Sequence, residues 1–95
     1  MKLNKSEIDS KLQNLSSWIY DKESEELVFD LTLENFKQCV ELLNKVLEVA
    51  EKLNHHPDVR IYNYKKIEIR ITTHDQNGIT EIDFEFASLV NKLLN

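Results

Sequence analysis

The spacing of apolar residues changes period several times along the chain, and each change marks a predicted element. Ser6 is placed to cap a first helix, with Glu7 and Asp9 in its opening turn. Ile8, Leu12 and Leu15 then recur at i, i+4 and i+7 as one apolar stripe. Trp18-Ile19-Tyr20 is a short run of strand formers, Asp21-Lys22-Glu23-Ser24 is turn-like, and Leu27-Val28-Phe29-Asp30-Leu31 returns as a strand. Together they predict an antiparallel hairpin. Helical spacing resumes with Phe36, Val40, Leu43, Leu47, Ala50 and Leu53, capped by Thr32. It stops before Pro57, because the residue preceding a proline avoids the helical region. Val59 and Ile61 alternate with Arg60 and Tyr62, and Ile67, Ile69 and Ile71 alternate with Glu68 and Arg70, as half-buried strands do. Gln76-Asn77-Gly78 is a turn. Thr80 then caps a last helix with Ile82, Phe86, Leu89, Val90 and Leu93 on one face.

The resulting order, α-β-β-α-β-β-α, predicts an α+β fold: a four-stranded antiparallel sheet with the helices packed on one face. The other face, carrying Glu68 and Arg70, is left to water, a partner subunit or a ligand. One Gly and one Pro leave little room for linkers, and no repeat is visible, so residues 1–95 read as a single domain. A chain of this size buries roughly 60–68% of its unfolded surface, enough for one core.

Composition narrows the function. The chain is 41% hydrophobic and 31% charged, as soluble globular proteins are. Twelve Lys and Arg against 17 Asp and Glu give a net charge of −5 without a basic run, a poor match to nucleic acid. No apolar run approaches the ~20 residues of a membrane span, and Met1-Lys2-Leu3-Asn4-Lys5 lacks the apolar stretch of a signal peptide. Cys39, the single cysteine, allows no intrachain disulfide and no multi-cysteine metal site. The expected compartment is the reducing cytoplasm. Gly78 stands alone, so there is no glycine-rich phosphate loop.

The remaining candidates for chemistry cluster. All three histidines, His55, His56 and His74, fall in one short window, with Glu51 four residues before His55 and with Asp75 and Asp83 nearby. Four readings fit them: surface loop histidines, a histidine–carboxylate metal site, acid–base chemistry at neutral pH, and a partner-binding surface. Against a metal, no His-x-x-x-His pair is present, and adjacent His55 and His56 point in different directions. Asp83 stands three residues after Thr80, where a capping box is the ordinary explanation. Cys39 beside the helical stripe suits packing. Trp18 suits the core, and Tyr62 and Tyr64 suit packing or stacking.

Glu51, three residues, His55-His56-Pro57, then Tyr64, His74 and Asp83 form a spacing that resembles the signature of the pterin-4a-carbinolamine dehydratases. The likeness extends to Leu15-Ser16-Ser17-Trp18, Phe29-Asp30-Leu31 and Ala87-Ser88-Leu89, from about residue 7 to 94. The resemblance implies the same α-β-β-α-β-β-α fold. It also implies dehydration of 4a-hydroxytetrahydrobiopterin or another reduced pterin to the quinonoid dihydropterin, with no metal or organic cofactor. By the same resemblance His55 and His74 form the leading acid–base pair, and His56 supports substrate and intermediate. Glu51 orients a histidine or the pterin ring, Asn54, Thr72, Thr73 and Asp75 line the pterin pocket, and Asp83, which completes the signature, is counted with the substrate-binding residues. Two departures stand out: Asn54 where some members carry Asp, and Asp58-Val59-Arg60 in place of a Glu-Trp-aromatic run. Animal relatives also serve as dimerisation partners of a homeodomain transcription factor, so a non-catalytic interaction module is the alternative. The family forms dimers that pair into tetramers. Trp18, Tyr20, Phe29 and Leu31 offer apolar surface for such a homo-oligomer, and Lys22 and Glu23 offer the charges that would protect a monomer's sheet edge.

Overall fold

The computed structural model describes residues 1–94. In chain order the elements are α1 (Lys5–Leu12), β1 (Trp18–Asp21), β2 (Glu26–Thr32), α2 (Phe36–Leu53), β3 (Asp58–Tyr62), β4 (Lys66–Ile71), a short 3-10 turn (His74–Gln76) and α3 (Glu81–Leu93). The strands form one antiparallel sheet in the order β1-β2-β4-β3. This is the expected α+β architecture, in the expected order.

Register follows from alternation. Trp18 pairs with Phe29, Phe29 with Ile69 and Ile69 with Val59, so these side chains share one face. Leu27, Phe29, Ile67, Ile69 and Ile71 are essentially inaccessible there, together with Cys39 and Val46 of α2 and Phe86, Ala87 and Val90 of α3. Trp18 packs on Phe29 at a 5.2 Å centroid distance. Its indole Nε1 donates to Asn91 Oδ1 at 3.0 Å, and Asn91 Nδ2 donates to the Ser16 carbonyl at 2.9 Å, tying β1 to α3. The opposite face carries Asp21, Glu26, Asp30, Arg60, Tyr62, Glu68 and Arg70, as the pairing dictates.

Four details differ from the sequence reading. Asn4, not Ser6, caps α1: its Oδ1 accepts the Glu7 amide and Glu7 Oε1 accepts the Asn4 amide, both at 2.9 Å. Asn35, not Thr32, caps α2 through the Gln38 amide at 2.9 Å. Thr32 is still strand, paired with Lys66. Asparagine ranks with the best caps, so each choice agreed with local preference, and at α2 the strand ladder that holds Thr32 decided the outcome. On α2 the buried face is Cys39, Leu42, Val46, Val49 and Ala50, whereas Phe36 is 55% and Leu47 53% exposed. The helix carries two adjacent apolar stripes, and only tertiary packing shows which one the sheet takes. On the hairpin, Trp18 and Phe29 are buried within the single chain, so they do not form the surplus apolar surface expected of them.

Candidate functional site

The site is built where α2 ends. Asn54 adopts the left-handed conformation (φ 49°, ψ 45°), and the His55 amide donates back to the Ala50 carbonyl at 3.0 Å. A left-handed residue at this position closes a helix and redirects the chain sharply. The redirection separates the two adjacent histidines: His55 turns inward, its side chain 14% exposed, and His56 turns outward.

His55 Nε2 meets Asp83 Oδ1 at 2.6 Å. Asp83 lies in the first turn of α3 and is fully inaccessible. Its Oδ2 accepts the Thr80 amide at 2.9 Å and the Thr73 hydroxyl at 2.7 Å. Because the Thr73 proton is committed to Asp83, the 2.8 Å contact between Thr73 and Thr80 hydroxyls is donated by Thr80. The contact engages the Nε2 side of the His55 ring, so Nδ1 is left for other partners. Asp83 thus caps α3, as its spacing from Thr80 led us to expect, and it also meets His55, a contact the sequence did not suggest. Thr80, which the sequence marked only as a cap, is a buried member of this chain of hydrogen bonds. No sequence signal separates that role from ordinary capping.

The other candidates lie around this centre without joining it. Glu51 bonds His56, not His55: Oε2 to Nε2 at 2.6 Å between two exposed side chains. The left-handed turn at Asn54 breaks the i, i+4 geometry that would have paired Glu51 with His55. His56 borders an apolar groove of about 350 Å³ with Leu43, Leu47, Pro57 and Val59. His74 and Asp75 are exposed on the 3-10 turn that follows Thr73. His74 borders a separate polar pocket of about 300 Å³ with Glu25, Glu26 and Thr72. Thr72 and Thr73 point apart, Thr72 Oγ1 donating to the Glu25 carbonyl at 2.8 Å. The three histidines therefore meet three different surroundings. Among the described residues no group of three or more His, Cys, Asp or Glu side chains is arranged to hold a metal ion. Among the described residues no helix is long and apolar enough to cross a membrane.

Comparison with known proteins gives a consistent picture. The family model described as pterin 4 alpha carbinolamine dehydratase matches residues 1–93. A protein of Sulfurisphaera tokodaii, provisionally named pterin-4-alpha-carbinolamine dehydratase, is 41% identical over 93 residues, covering 98% of this chain and 97% of its own. One from Nostoc punctiforme with the same provisional name is 38% identical over 91 residues, covering 96% and 95%. The crystal structure of a transcriptional coactivator/pterin dehydratase from Brucella melitensis superposes over the whole of both chains with a TM-score of 0.91 at 26% identity. A pterin dehydratase-like RuBisCO assembly factor of the alpha-carboxysome shares the fold at a TM-score of 0.67 and 18% identity, over 81% of this chain and 88% of its own.

Proposed function

The chain belongs to the pterin 4 alpha carbinolamine dehydratase family, and from that membership we propose that it dehydrates 4a-hydroxytetrahydrobiopterin, or a closely related reduced pterin, to the quinonoid dihydropterin by histidine acid–base catalysis. In this reaction the 4a-hydroxyl takes up a proton and leaves as water. N5 gives up its proton as the C4a–N5 double bond forms, so the proton count balances. The reaction serves pterin recycling after a hydroxylation: its dihydropterin product still needs a separate two-electron reduction to return to the tetrahydropterin cofactor.

The observation that supports the reading is the partly buried chain from Thr80 through Thr73 and Asp83 to His55, with Asp83 itself inaccessible. A histidine held at Nε2 by a dry carboxylate keeps one tautomer and one ring orientation, so its Nδ1 is set to exchange a proton with substrate. We assign His55 and His74 as the acid–base pair and His56, braced by Glu51, as the support for substrate and intermediate. Asn54, Thr72, Thr73 and Asp75 line the pterin site, and Asp83 orients His55. Replacing His55 or His74 by alanine is expected to lower dehydratase turnover by ~10²–10⁴-fold, the usual worth of general acid–base help. Unchanged stopped-flow turnover in either variant removes that residue from the pair.

A second reading, a non-catalytic interaction module, is favoured by one observation: the exposed apolar stripe of α2 that includes Phe36 and Leu47. Folded protein that binds no reduced pterin by calorimetry, yet retains a protein partner, would support it over the enzyme. Under either reading we propose a homo-oligomer, dimer or tetramer. Light scattering that gives the mass of one chain, 11.2 kDa, would exclude it.

A further inference from the structure

The polar pocket beside His74 has a wall made by residues far from it in sequence. Lys2 Nζ pairs with Glu25 Oε1 at 2.9 Å. The stem of Lys2 crosses Gly78 so closely that a Cβ placed there would lie 2.6 Å from Lys2 Cε and 3.1 Å from Cδ. The next residue, Leu3, is buried, and its amide donates to the Ile79 carbonyl at 2.8 Å. Gly78 in turn bridges Thr73, whose amide donates to the Gly78 carbonyl at 3.0 Å. Glu25 is also fastened from the other side, since its carbonyl accepts Thr72 Oγ1. One surface lysine therefore joins the β1–β2 turn to the segment that carries Thr73 and His74, and both joined pieces line the pocket.

We propose that Lys2 is a positioning residue: it holds Glu25 and Gly78 at the spacing that keeps the His74 pocket open and its loop in place. The inference rests on the dehydratase reading for its effect on turnover, and on geometry alone for its effect on the loop. Gly78 has a role here that does not depend on an unusual backbone angle, since its missing Cβ is the space that the lysine stem occupies.

The test uses the full chain with Lys2→Ala, Lys2→Arg, Gly78→Ala and the Lys2→Ala/Gly78→Ala pair. Steady-state kinetics with the pterin carbinolamine are read alongside amide hydrogen exchange at Thr73 and Gly78. Lys2→Ala is expected to lower kcat/KM roughly three- to tenfold, short of the ~100-fold that a 1 Å misplacement can cost. Gly78→Ala, by displacing the lysine, is expected to give the same loss. The double variant should be no worse than either single one, because both remove the same contact. Lys2→Arg should restore turnover, and exchange at the two amides should quicken only in the variants that lose the contact. Unchanged exchange and kcat/KM in Lys2→Ala, or losses that add in the double variant, overturn the proposal. If the unmodified chain shows no dehydratase turnover, the functional reading fails, while the exchange measurement still decides the role of Lys2 in the loop.

Discussion

Two polar hubs lie on opposite sides of the sheet. On the helix side Asp83, with no exposed surface, gathers His55, Thr73 and the Thr80 amide. On the outer side Arg70, its side chain 30% exposed, gathers Glu26 at 2.9 Å, Asp21 at 3.2 Å and Glu68 at 3.5 Å. The two hubs make similar numbers of contacts, yet water separates their energetics. A bond lost at Asp83 leaves donors stranded where no solvent replaces the carboxylate. A bond lost at Arg70 is largely made good by water and screened by salt. Charge alone would have ranked the arginine cluster first, whereas burial ranks the single aspartate above it.

The comparison breaks first at Asp83. Asp83→Ala is expected to lower the unfolding free energy by about 3–4 kcal/mol in urea titrations, since buried donors left unpaired cost ~1–3 kcal/mol each and a helix cap ~1 kcal/mol. Thr73→Val removes one donor from the same hub, and its loss should be about 1 kcal/mol. If Asp83→Ala costs less than Thr73→Val, the site is wetter than its geometry implies.

Arg70→Gln should have the smallest effect, under about 1 kcal/mol, and lose it near 1 M salt, where the Debye length is ~3 Å. Its signature lies in pH. The Arg70 guanidinium, hydrogen-bonded to Asp21, holds that carboxyl below the ordinary aspartate value, with the Ser24 amide adding to the effect. A carboxyl depressed in the folded state stabilises fully above its unfolded value, about pH 4, and loses that stabilisation as the pH falls through the folded value. Arg70→Gln should therefore flatten the acid limb of the stability profile below about pH 4. An acid limb identical to that of the unmodified chain would show that the outer hub does not bind Asp21 in solution.

The sheet was legible in the sequence because its signal is local: Ile67, Ile69 and Ile71 alternate with charged residues, and the observed β4 buries those three. The helix faces were less legible. α2 carries two apolar stripes, and periodicity alone favours neither. At the site, the spacing of Glu51, His55, His56, His74 and Asp83 could be read residue by residue, but the contact between His55 and Asp83 could not. Partner choice could not be read. Glu51 reaches His56, Thr80 enters across the turn after Thr73, and Lys2 enters by a contact with Glu25 far along the chain. The Glu51–His56 pairing depends on backbone direction after the end of α2, which the apolar periodicity does not encode.

That direction is set at Asn54, and it recasts the departure noted there. A backbone at φ 49° disfavours β-branched side chains and favours glycine, asparagine and aspartate: three of the six non-glycine residues with positive φ are asparagines, beside Ser17, Glu25 and Tyr64. Asn and Asp are thus interchangeable at this position for a reason unconnected with charge: both allow the chain to bend between the two histidines. Conformation thus biases position 54 toward these two residues before any electrostatic preference acts.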